Sequence, residues 1–329
     1  MRYILFVFLV GCILGVQAQV KNESGTVPFL KITPDARSAG MGETGAAFAD
    51  GAFAFFHNAA AGLFNERKSE IAYAYTPWMR DKVSGSALHT VGGYFKLGNK
   101  QGVFAGFRHF SYAAIDITDE NGNVTDDFTP RDWALDVGYA RKITKDLSMS
   151  LTFRYISSDM GKFDGADVAH ACAFDLGLYY RHRATFLDSA SWTVGLQLSN
   201  VGSRIKYVST AYDLPGKVNL GSSLQMPFSQ DHKLRCALDF AYQFLPSGSD
   251  AWGIAFGTEY LFLQHFALRG GYHWGDKDKG EKSFGTLGCG IAFYHLQGDF
   301  SWLLAGSDNV LRNTYRFTLG VDLGWLCRR

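Results

Sequence analysis

The sequence has few prolines and, after its first residues, no long apolar run. Only 7 of the 329 residues are proline, whereas aromatic residues make up 15% and glycine contributes 37 residues. No segment beyond the start offers ~18 consecutive apolar residues, which argues against transmembrane helices. A Pro/Ser/Gly-rich linker, a charge block or a composition break that would divide the chain into two domains is also missing. This profile favours one domain of many long strands over a helical enzyme.

The first residues have the three parts of a secretory signal. Arg2 is followed by the apolar run "YILFVFLVGCILGV" and then by "QAQ", with small residues at Val16 and Ala18. Cleavage is expected after Ala18, which makes residues 1–18 a signal peptide. The alternative is a lipoprotein box, "LVGC", with Cys12 as the lipidated residue. Both interpretations export the chain.

The exported chain has no excess charge of either sign. Arg2 is the only charged residue of the signal, so 31 of the 32 Lys+Arg residues remain against 31 Asp+Glu. A net charge of zero argues against nucleic acid as a partner and against electrostatic capture by anionic surfaces.

Four cysteines remain after cleavage, at 172, 236, 289 and 327. An even number in an exported protein allows a disulfide framework. These four are scattered, however, and three share the phase of bulky apolar neighbours in strand-like runs. We interpret them as small hydrophobic residues.

From residue 69 onward, apolar and polar residues alternate with a period of two. In "DLSMSLTFRY", Leu147 to Tyr155 alternate with small or charged side chains that end at Arg154. Such a pattern indicates an antiparallel sheet with one apolar face. The runs are roughly 10–14 residues long, the length of a tilted transmembrane strand and more than a soluble sandwich needs. Isolated charges on the polar faces fit a filled or wet lumen: Arg154, Asp175, Asp239, Glu259 and Arg316.

The runs predict an all-β fold, a transmembrane antiparallel β-barrel of about 14 strands that occupies residues 69–329. An even number is typical of single-chain bacterial barrels, and mostly short connections alternate with longer ones, as they do at the two ends of outer-membrane barrels. The connection 80–83 is predicted to be an exception, because it is short although it lies at the end where the other connections are long. The expected location is the outer membrane, with lipid around the barrel and both termini of the chain on the periplasmic side. The expected strands are 69–79, 84–97, 101–112, 130–142, 147–158, 170–183, 191–203, 217–227, 232–244, 251–263, 265–274, 284–296, 298–305 and 313–326.

The segment 19–68 before the first strand is rich in glycine and small residues. A lumen of this size needs a plug or a gated pore, and glycines allow backbone to pass close to a wall. We expect this segment to fold back inside the barrel as a plug. The residues expected to act there are Pro34, Asp35, Arg37, Gly40, Gly42 and Asn58.

The same segment carries a family resemblance. "FLKITPDARSAGMGETGAAFADG" (29–51) resembles the N-terminal signature of the PorV and PorQ family, FadL-like outer-membrane proteins of the type IX secretion system of Bacteroidetes-type bacteria. Further matching stretches are "YTPWMR", "ITDENGN", "PRDWALDVGYA", "RYISSD", "LSNVGSRIKY", "LPGKVNLG", "LRGGY" and "LRNTYRF". Two departures are "HNAAAGL" with Ala59 in place of a proline, and loops shorter than the family's.

The resemblance implies a non-enzymatic carrier. Such a barrel receives secreted cargo through the cargo's C-terminal signal domain and passes it from the translocon to the surface attachment complex. Candidate contact residues in the outer loops, chosen by residue type, are Trp78, Arg80, Tyr112, Asp119 and Asn121. The alternatives are FadL-like transport of hydrophobic molecules and an accessory role in another outer-membrane assembly machine.

Motifs for catalysis, cofactors or metals are lacking. No two histidines have the spacing of a metal-ligand motif, and there is no nucleophile elbow or phosphate-binding glycine loop. "DITDENGNVTDD" (116–127) resembles a calcium loop, but its glycine is misplaced for the turn of an EF-hand. We interpret it as a solvated outer loop, with calcium as the alternative, and we expect no cofactor and no enzymatic activity.

Overall fold

A computed structural model of the chain describes residues 26–48, 50–80, 85–119, 121, 123–161, 167–183, 190–307 and 309–324. The expected signal peptide with Cys12, and Cys327 near the C-terminus, lie outside these residues. Among the described residues, no helix is both long and apolar enough to cross a membrane.

Long stretches of alternating apolar and polar residues form strands, because successive side chains of a strand point to opposite faces. The strands of the described chain are β1 (Ser69–Pro77), β2 (Ala87–Lys96), β3 (Gln101–Ser111), β4 (Ile115–Thr118), β5 (Val124–Phe128), β6 (Arg131–Lys142), β7 (Leu147–Asp159), β8 (Ala169–Arg183), β9 (Ser191–Gly202), β10 (Ile205–Tyr207), β11 (Thr210–Tyr212), β12 (Lys217–Pro227), β13 (His232–Gln243), β14 (Ala251–Phe262), β15 (Phe266–Gly275), β16 (Phe284–Phe293), β17 (Leu296–Leu304) and β18 (Tyr315–Asp322).

Fourteen of these strands close into one antiparallel barrel, in which β1 pairs with β18. Each of the others pairs with its neighbours along the chain, except that two hairpins, β4–β5 and β10–β11, stand apart as two-stranded sheets. The pleat turns Leu151 outward, where it is exposed, and Arg154 inward, where it is buried. The predicted all-β barrel of about 14 strands is therefore confirmed.

Connections of two lengths separate the ends of the barrel. Turns such as Leu97–Lys100 and Tyr294–His295 join strands at what we call the short-turn end, and longer connections such as 112–130 and 203–216 lie at the long-loop end. β1 ends at Pro77 and β2 begins at Ala87. The expected short connection 80–83 is therefore wrong, and the alternation of lengths has no exception there.

Other strand boundaries also differ from the prediction. β16 ends at Phe293 and β17 begins at Leu296, because Tyr294 adopts a left-handed conformation (φ 50°) in a two-residue turn. The last strand ends at Asp322 rather than at 326. The hairpins β4–β5 and β10–β11 were not foreseen, and the first converts the expected loop 116–127 into a hairpin with a bulge between Ile117 and Thr118.

The segment of residues 26–65, called the N-terminal segment below, lies inside the barrel. It contains a 3-10 helix (Pro28–Lys31), α1 (Ala36–Gly40), α2 (Ala54–Asn58) and a second 3-10 helix (Ala59–Phe64). Its beginning packs at the long-loop end, where Phe29 joins an apolar cluster with Phe110 of β3 and Ile205 of β10. Its end packs at the short-turn end, where Leu63 contacts a cluster with Tyr94 of β2. The segment therefore runs the height of the lumen.

The outer face of the barrel is apolar and is bordered by aromatic residues. Leu151, Leu176 and Leu268 on this face are about half exposed. Aromatic residues with polar edges lie near both ends of the strands, the position that such rings take at the two interfaces of a membrane. Those at the short-turn end include Tyr139, Tyr180, Trp192 and Tyr260, and those at the long-loop end include Trp133, Tyr155, Trp252, Trp274 and Trp302.

Candidate functional site

Inside the barrel, the N-terminal segment forms the short helix α1, which has a capped N-terminus. Asp35 is the N-cap of α1, and its carboxylate accepts a hydrogen bond from the amide of Ser38 at 2.8 Å. The other carboxylate oxygen lies 2.7 Å from Nε2 of His57, which ties α1 to α2. Burial alone would raise the pKa of Asp35, but His57 and the Ser38 amide outweigh it and hold the pKa below its ordinary value. Pro34, beside this cap, is also buried.

Arg37 joins the N-terminal segment to the wall through a buried ion cluster. Its Nε and Nη2 each donate to a different carboxylate oxygen of Glu259 on β14 at 2.8 Å, and Nη2 also reaches Asp50 at 3.2 Å. Burial opposes the charge of Arg37, but the facing carboxylates raise its pKa above the ordinary value. Glu259 also accepts from Arg269 at 2.8 Å and from Arg235 at 3.3 Å, so one wall carboxylate serves three guanidinium groups.

Glycines allow the segment and the wall to touch backbone to backbone. Gly42 has φ +70°, and its amide donates to Thr286 Oγ1 at 2.8 Å. A Cβ at Gly40 would lie 3.1 Å from the Cα of Gly288 on β16. On the opposite wall, a Cβ at Gly195 of β9 would lie 1.8 Å from the carbonyl oxygen of Ala46. At these points the segment and the wall are in direct backbone contact.

Asn58 fixes the turn between α2 and the second 3-10 helix. It is fully buried, and its amide donates to the carbonyl oxygens of Ala46 at 3.1 Å and of Leu178 on β8 at 3.0 Å. Its Oδ1 accepts from the amide of Ala60 at 3.2 Å. Asn58 thus links the segment to itself and to the wall with three hydrogen bonds, all from a residue that sequence reasoning had selected.

A second buried ion cluster lies on the wall near the long-loop end. Arg154 of β7 donates to Asp136 of β6 at 2.5 Å and to Asp175 of β8 at 2.8 Å, and it also contacts Asn200 of β9. Arg108 of β3 reaches Asp136 at 3.3 Å. Alternation predicted the inward direction of Arg154 and Asp175. Their partnership depends on strand register, for which the sequence carries no local signal.

The N-terminal segment leaves two cavities in the lumen. The cavity at the long-loop end has about 530 Å³ and is lined by apolar side chains such as Leu30 and Trp78 and by polar ones such as Lys217. The cavity at the short-turn end has about 310 Å³ and is lined mainly by charged and polar side chains, including Arg235 and Asp50. The segment separates them.

The candidate contact residues divide into two groups. Trp78 and Tyr112 pack against the apolar cluster that closes the long-loop end, and the Tyr112 hydroxyl donates to Asp132 at 2.7 Å. Arg80 is exposed and donates to the hydroxyl of Tyr315 at 2.7 Å. Asp119 and Asn121 lie at the exposed tip of the β4–β5 hairpin, where the Asp119 carboxylate accepts from the amide of Asn121 at 2.9 Å. All five lie at the long-loop end, but they do not form one patch.

Groups that could hold a metal are not found among the described residues. The three described cysteines, Cys172, Cys236 and Cys289, are free thiols. They lie in the outward phase of their strands, beside Phe174, Leu238 and Leu287 respectively, as expected for small hydrophobic residues.

Comparisons with known proteins give a family and a fold. The sequence model of the family described as "Type IX secretion system protein PorV" matches residues 16–250. No curated protein sequence matches the chain.

Among solved structures, the toluene transporter TbuX of Ralstonia pickettii is similar with a TM-score of 0.55 and 15% identity, over 92% of this chain and 98% of that one. The toluene transporter TodX of Pseudomonas putida has a TM-score of 0.55 and 14% identity, over 86% and 96%. A Pseudomonas aeruginosa FadL homologue has a TM-score of 0.52 and 11% identity, over 88% and 98%. At these identities the similarity shows a shared FadL-like barrel fold.

Proposed function

The chain belongs to the family of the type IX secretion system protein PorV, and from this membership we propose that it is a non-enzymatic cargo carrier. It is an outer-membrane β-barrel of that system. In the proposed role, it binds secreted proteins by their C-terminal signal domain at the cell surface. It then passes them from the translocon to the attachment complex.

The occupied lumen supports a carrier better than a channel. The N-terminal segment acts as a plug that contacts several sides of the wall. Its Arg37 contacts β14, Gly40 contacts β16, Ala46 contacts β9 and Asn58 contacts β8. Arg37 contributes charge-assisted hydrogen bonds and Asn58 contributes a buried amide hydrogen bond, which are costly to break. Gly40 and Ala46 contribute close backbone approaches. A protein whose lumen is filled in this way offers its partners only its two ends and its outer wall.

The long-loop end suits the contact with cargo. In outer-membrane barrels the long loops face the outside and the short turns face the periplasm. At this end the chain presents the open cavity of about 530 Å³, the exposed Arg80 and the exposed tip of the β4–β5 hairpin with Asp119 and Asn121. These residues, with Trp78 at the cavity and Tyr112 beside it, are the proposed contact residues.

The first test is a pull-down of the tagged protein from gently solubilised outer membranes, with mass spectrometry of the bound proteins. Recovery of secreted proteins that share a C-terminal β-sandwich domain, together with a large barrel translocon, is expected. Recovery of lipid alone, or of a different assembly machine, would contradict the carrier role.

A second test locates the contact. The isolated C-terminal signal domain of a recovered cargo protein is titrated against the wild type, the variant Arg80→Glu/Asp119→Lys and the control Lys233→Glu at the short-turn end. Weaker binding by the first variant alone is expected. Equal binding by all three proteins would show that the outer residues do not contribute.

Transport of a hydrophobic small molecule is a second candidate function. One observation favours it: Leu30, Ile32, Phe56 and Phe284 line the outer cavity, and the structural neighbours include toluene transporters. Ion conductance of the purified barrel in a planar bilayer, together with uptake of toluene into proteoliposomes, distinguishes the two. The filled lumen predicts no steady current and no uptake for the wild type, and measurable uptake would favour transport.

A further inference from the structure

Basic residues collect on one half of the short-turn end. They come from the residue before β1 and from the ends of β2, β3, β6 and β8, and we call them the basic rim: Lys68, Lys96, Lys100, Arg141, Lys142 and Arg181. Lys145 in the adjoining turn adds a seventh cation. The described carboxylates on this half are Asp146, 3.9 Å from Lys145, and the exposed Glu66 near Lys68 and Lys96. The exported chain is neutral as a whole, so this segregation was not visible in its net charge.

Backbone hydrogen bonds show that the basic rim is continuous from strand to strand. The amide of Lys96 donates to the carbonyl of Lys68 at 2.9 Å, and the amide of Lys142 donates to that of Lys100 at 2.8 Å. The amide of Arg181 donates to the carbonyl of Asp146 at 2.8 Å. Since each bond joins adjacent strands or turns, the cations follow one another along the edge of the barrel.

Three of the six cations of the basic rim contact the N-terminal segment, and the other three do not. Lys96 contacts the carbonyl oxygen of Asn65, Arg181 donates to that of Phe64 at 3.5 Å, and Lys142 lies 4.2 Å from the centre of the Phe64 ring. These three cations hold the end of the second 3-10 helix, where carbonyl groups point outward. Among the described residues, none of the six forms an ion pair with a carboxylate.

The other three, Lys68, Lys100 and Arg141, are exposed. Lys68 lies 5.4 Å from the Phe95 ring, and neither Lys100 nor Arg141 has a side-chain partner among the described residues. Exposed cations so close together repel one another at low ionic strength. An arrangement of this kind is stabilised by an external anionic partner.

The opposite half of the same end is different. From β9 to β18, the described charged residues at the turns and strand ends are Asp231, Lys233 and Asp322, and Arg67 lies 3.9 Å from Asp322. Anionic lipid would surround the barrel on all sides and would be met by a ring of cations. A half-ring fits a partner that approaches from one side.

We propose that the basic rim is a docking surface for the acidic face of a periplasmic protein. The partner lies below β2, β3, β6 and β8 and is held by complementary charge, which sets orientation and association rate more than affinity. This surface is at the end opposite the proposed cargo contact. It therefore does not depend on the carrier function, and either proposal can fail alone.

The test uses the full-length mature protein in nanodiscs of zwitterionic phosphatidylcholine, with fluorescent poly-L-glutamate as the acidic probe. The variant Lys68→Glu/Lys100→Glu/Arg141→Glu is compared with the wild type and with Lys206→Glu/Lys277→Glu/Arg312→Glu, which makes the same charge change at the long-loop end. Heat-modified migration in gels verifies that each barrel is folded. We expect roughly tenfold or more weaker binding by the rim variant, no change for the control, and loss of wild-type binding at high salt.

Three outcomes would overturn the proposal. Equal binding of the probe by both variants would show that the rim does not attract acidic chains. If the rim variant instead lost only co-purifying phosphatidylglycerol, with the probe unaffected, the cations would serve lipid. In cells, a photo-crosslinking residue at position 100 is expected to give a protein adduct that the same residue at position 277 does not give, and the absence of that adduct would also contradict a protein partner.

Discussion

At the scale of single residues, the contact between the N-terminal segment and the wall depends on glycines, whose lack of a side chain lets the two backbones approach closely. Gly195 faces the lumen on β9, and the carbonyl oxygen of Ala46 occupies the space that its Cβ would fill. Gly298 on β17 faces outward, and its nearest neighbours would lie at 3.7 and 3.8 Å, an ordinary contact distance. The two glycines therefore form a matched comparison.

We expect Gly195→Ala to displace residues near Ala46 and to destabilise the packing of the segment by about 1–3 kcal/mol, because overpacking forces backbone to shift. Gly298→Ala is expected to have little effect. Amide hydrogen exchange of residues 44–48 measures the difference. Unchanged exchange in Gly195→Ala would mean that the segment does not approach β9 as closely as described.

Arg37 is the residue through which the segment is most strongly held. Replacing it by methionine removes two hydrogen bonds to the buried Glu259 and one to Asp50, while Arg269 remains on Glu259. We expect Arg37→Met to weaken the docking of α1 by about 3 kcal/mol, the effect of breaking a buried ion pair. Exchange protection of residues 36–41 reports it. Arg204→Ala, which removes an exposed pair with Asp213, is the control and is expected to leave that protection unchanged.

At the scale of elements, α1 gives the segment a dependence on pH. The pKa of Asp35 is depressed in the folded protein, so ionised Asp35 stabilises the docked helix. This contribution is present above the ordinary aspartate pKa of about 3.9 and is lost as the pH falls through the lower, folded value. Hydrogen exchange of α1, corrected for its intrinsic pH dependence, is expected to rise as the pH falls below about 4. Asp35→Asn should remove the transition, and its persistence would assign the effect to another group.

The elements also show what sequence could and could not predict. The period-two pattern predicted all 14 barrel strands, because lipid outside and polar contacts inside impose opposite requirements on alternate residues. The hairpins β4–β5 and β10–β11 were missed. Both faces of β4–β5 are largely exposed, so no alternation is required there, and β10 and β11 have only three residues each, too few to show a period of two. The importance of Asp35, Arg37 and Asn58 followed from residue type and a family resemblance. The partnership of Arg37 with Glu259, 222 positions away, exists only through the register of the barrel.

At the scale of the whole molecule, the two ends of the barrel have different chemistry. The long-loop end combines an apolar cluster, a cavity and an acidic hairpin in which Asp116 lies directly opposite Asp127. The short-turn end carries the basic rim on one half. In the two roles proposed above, a chain without excess charge would address one kind of partner outside the cell and another kind in the periplasm.

The course of the N-terminal segment also has a consequence for biogenesis. Val27 is buried in the apolar cluster that includes Ile205 of the β10–β11 hairpin, and Asn65 lies at the opposite end of the barrel. The stretch between them therefore lies inside the barrel and contacts its wall. If the segment were inserted into a closed barrel, Arg37 and Phe55 would have to pass between packed side chains of the wall. If the barrel instead closed around the segment, β1 and β18 would only have to pair last. That seam has six paired positions. We expect a thiol crosslink between cysteines at 31 and 281 to form during assembly before a disulfide between cysteines at 72 and 320, and the reverse order would indicate threading.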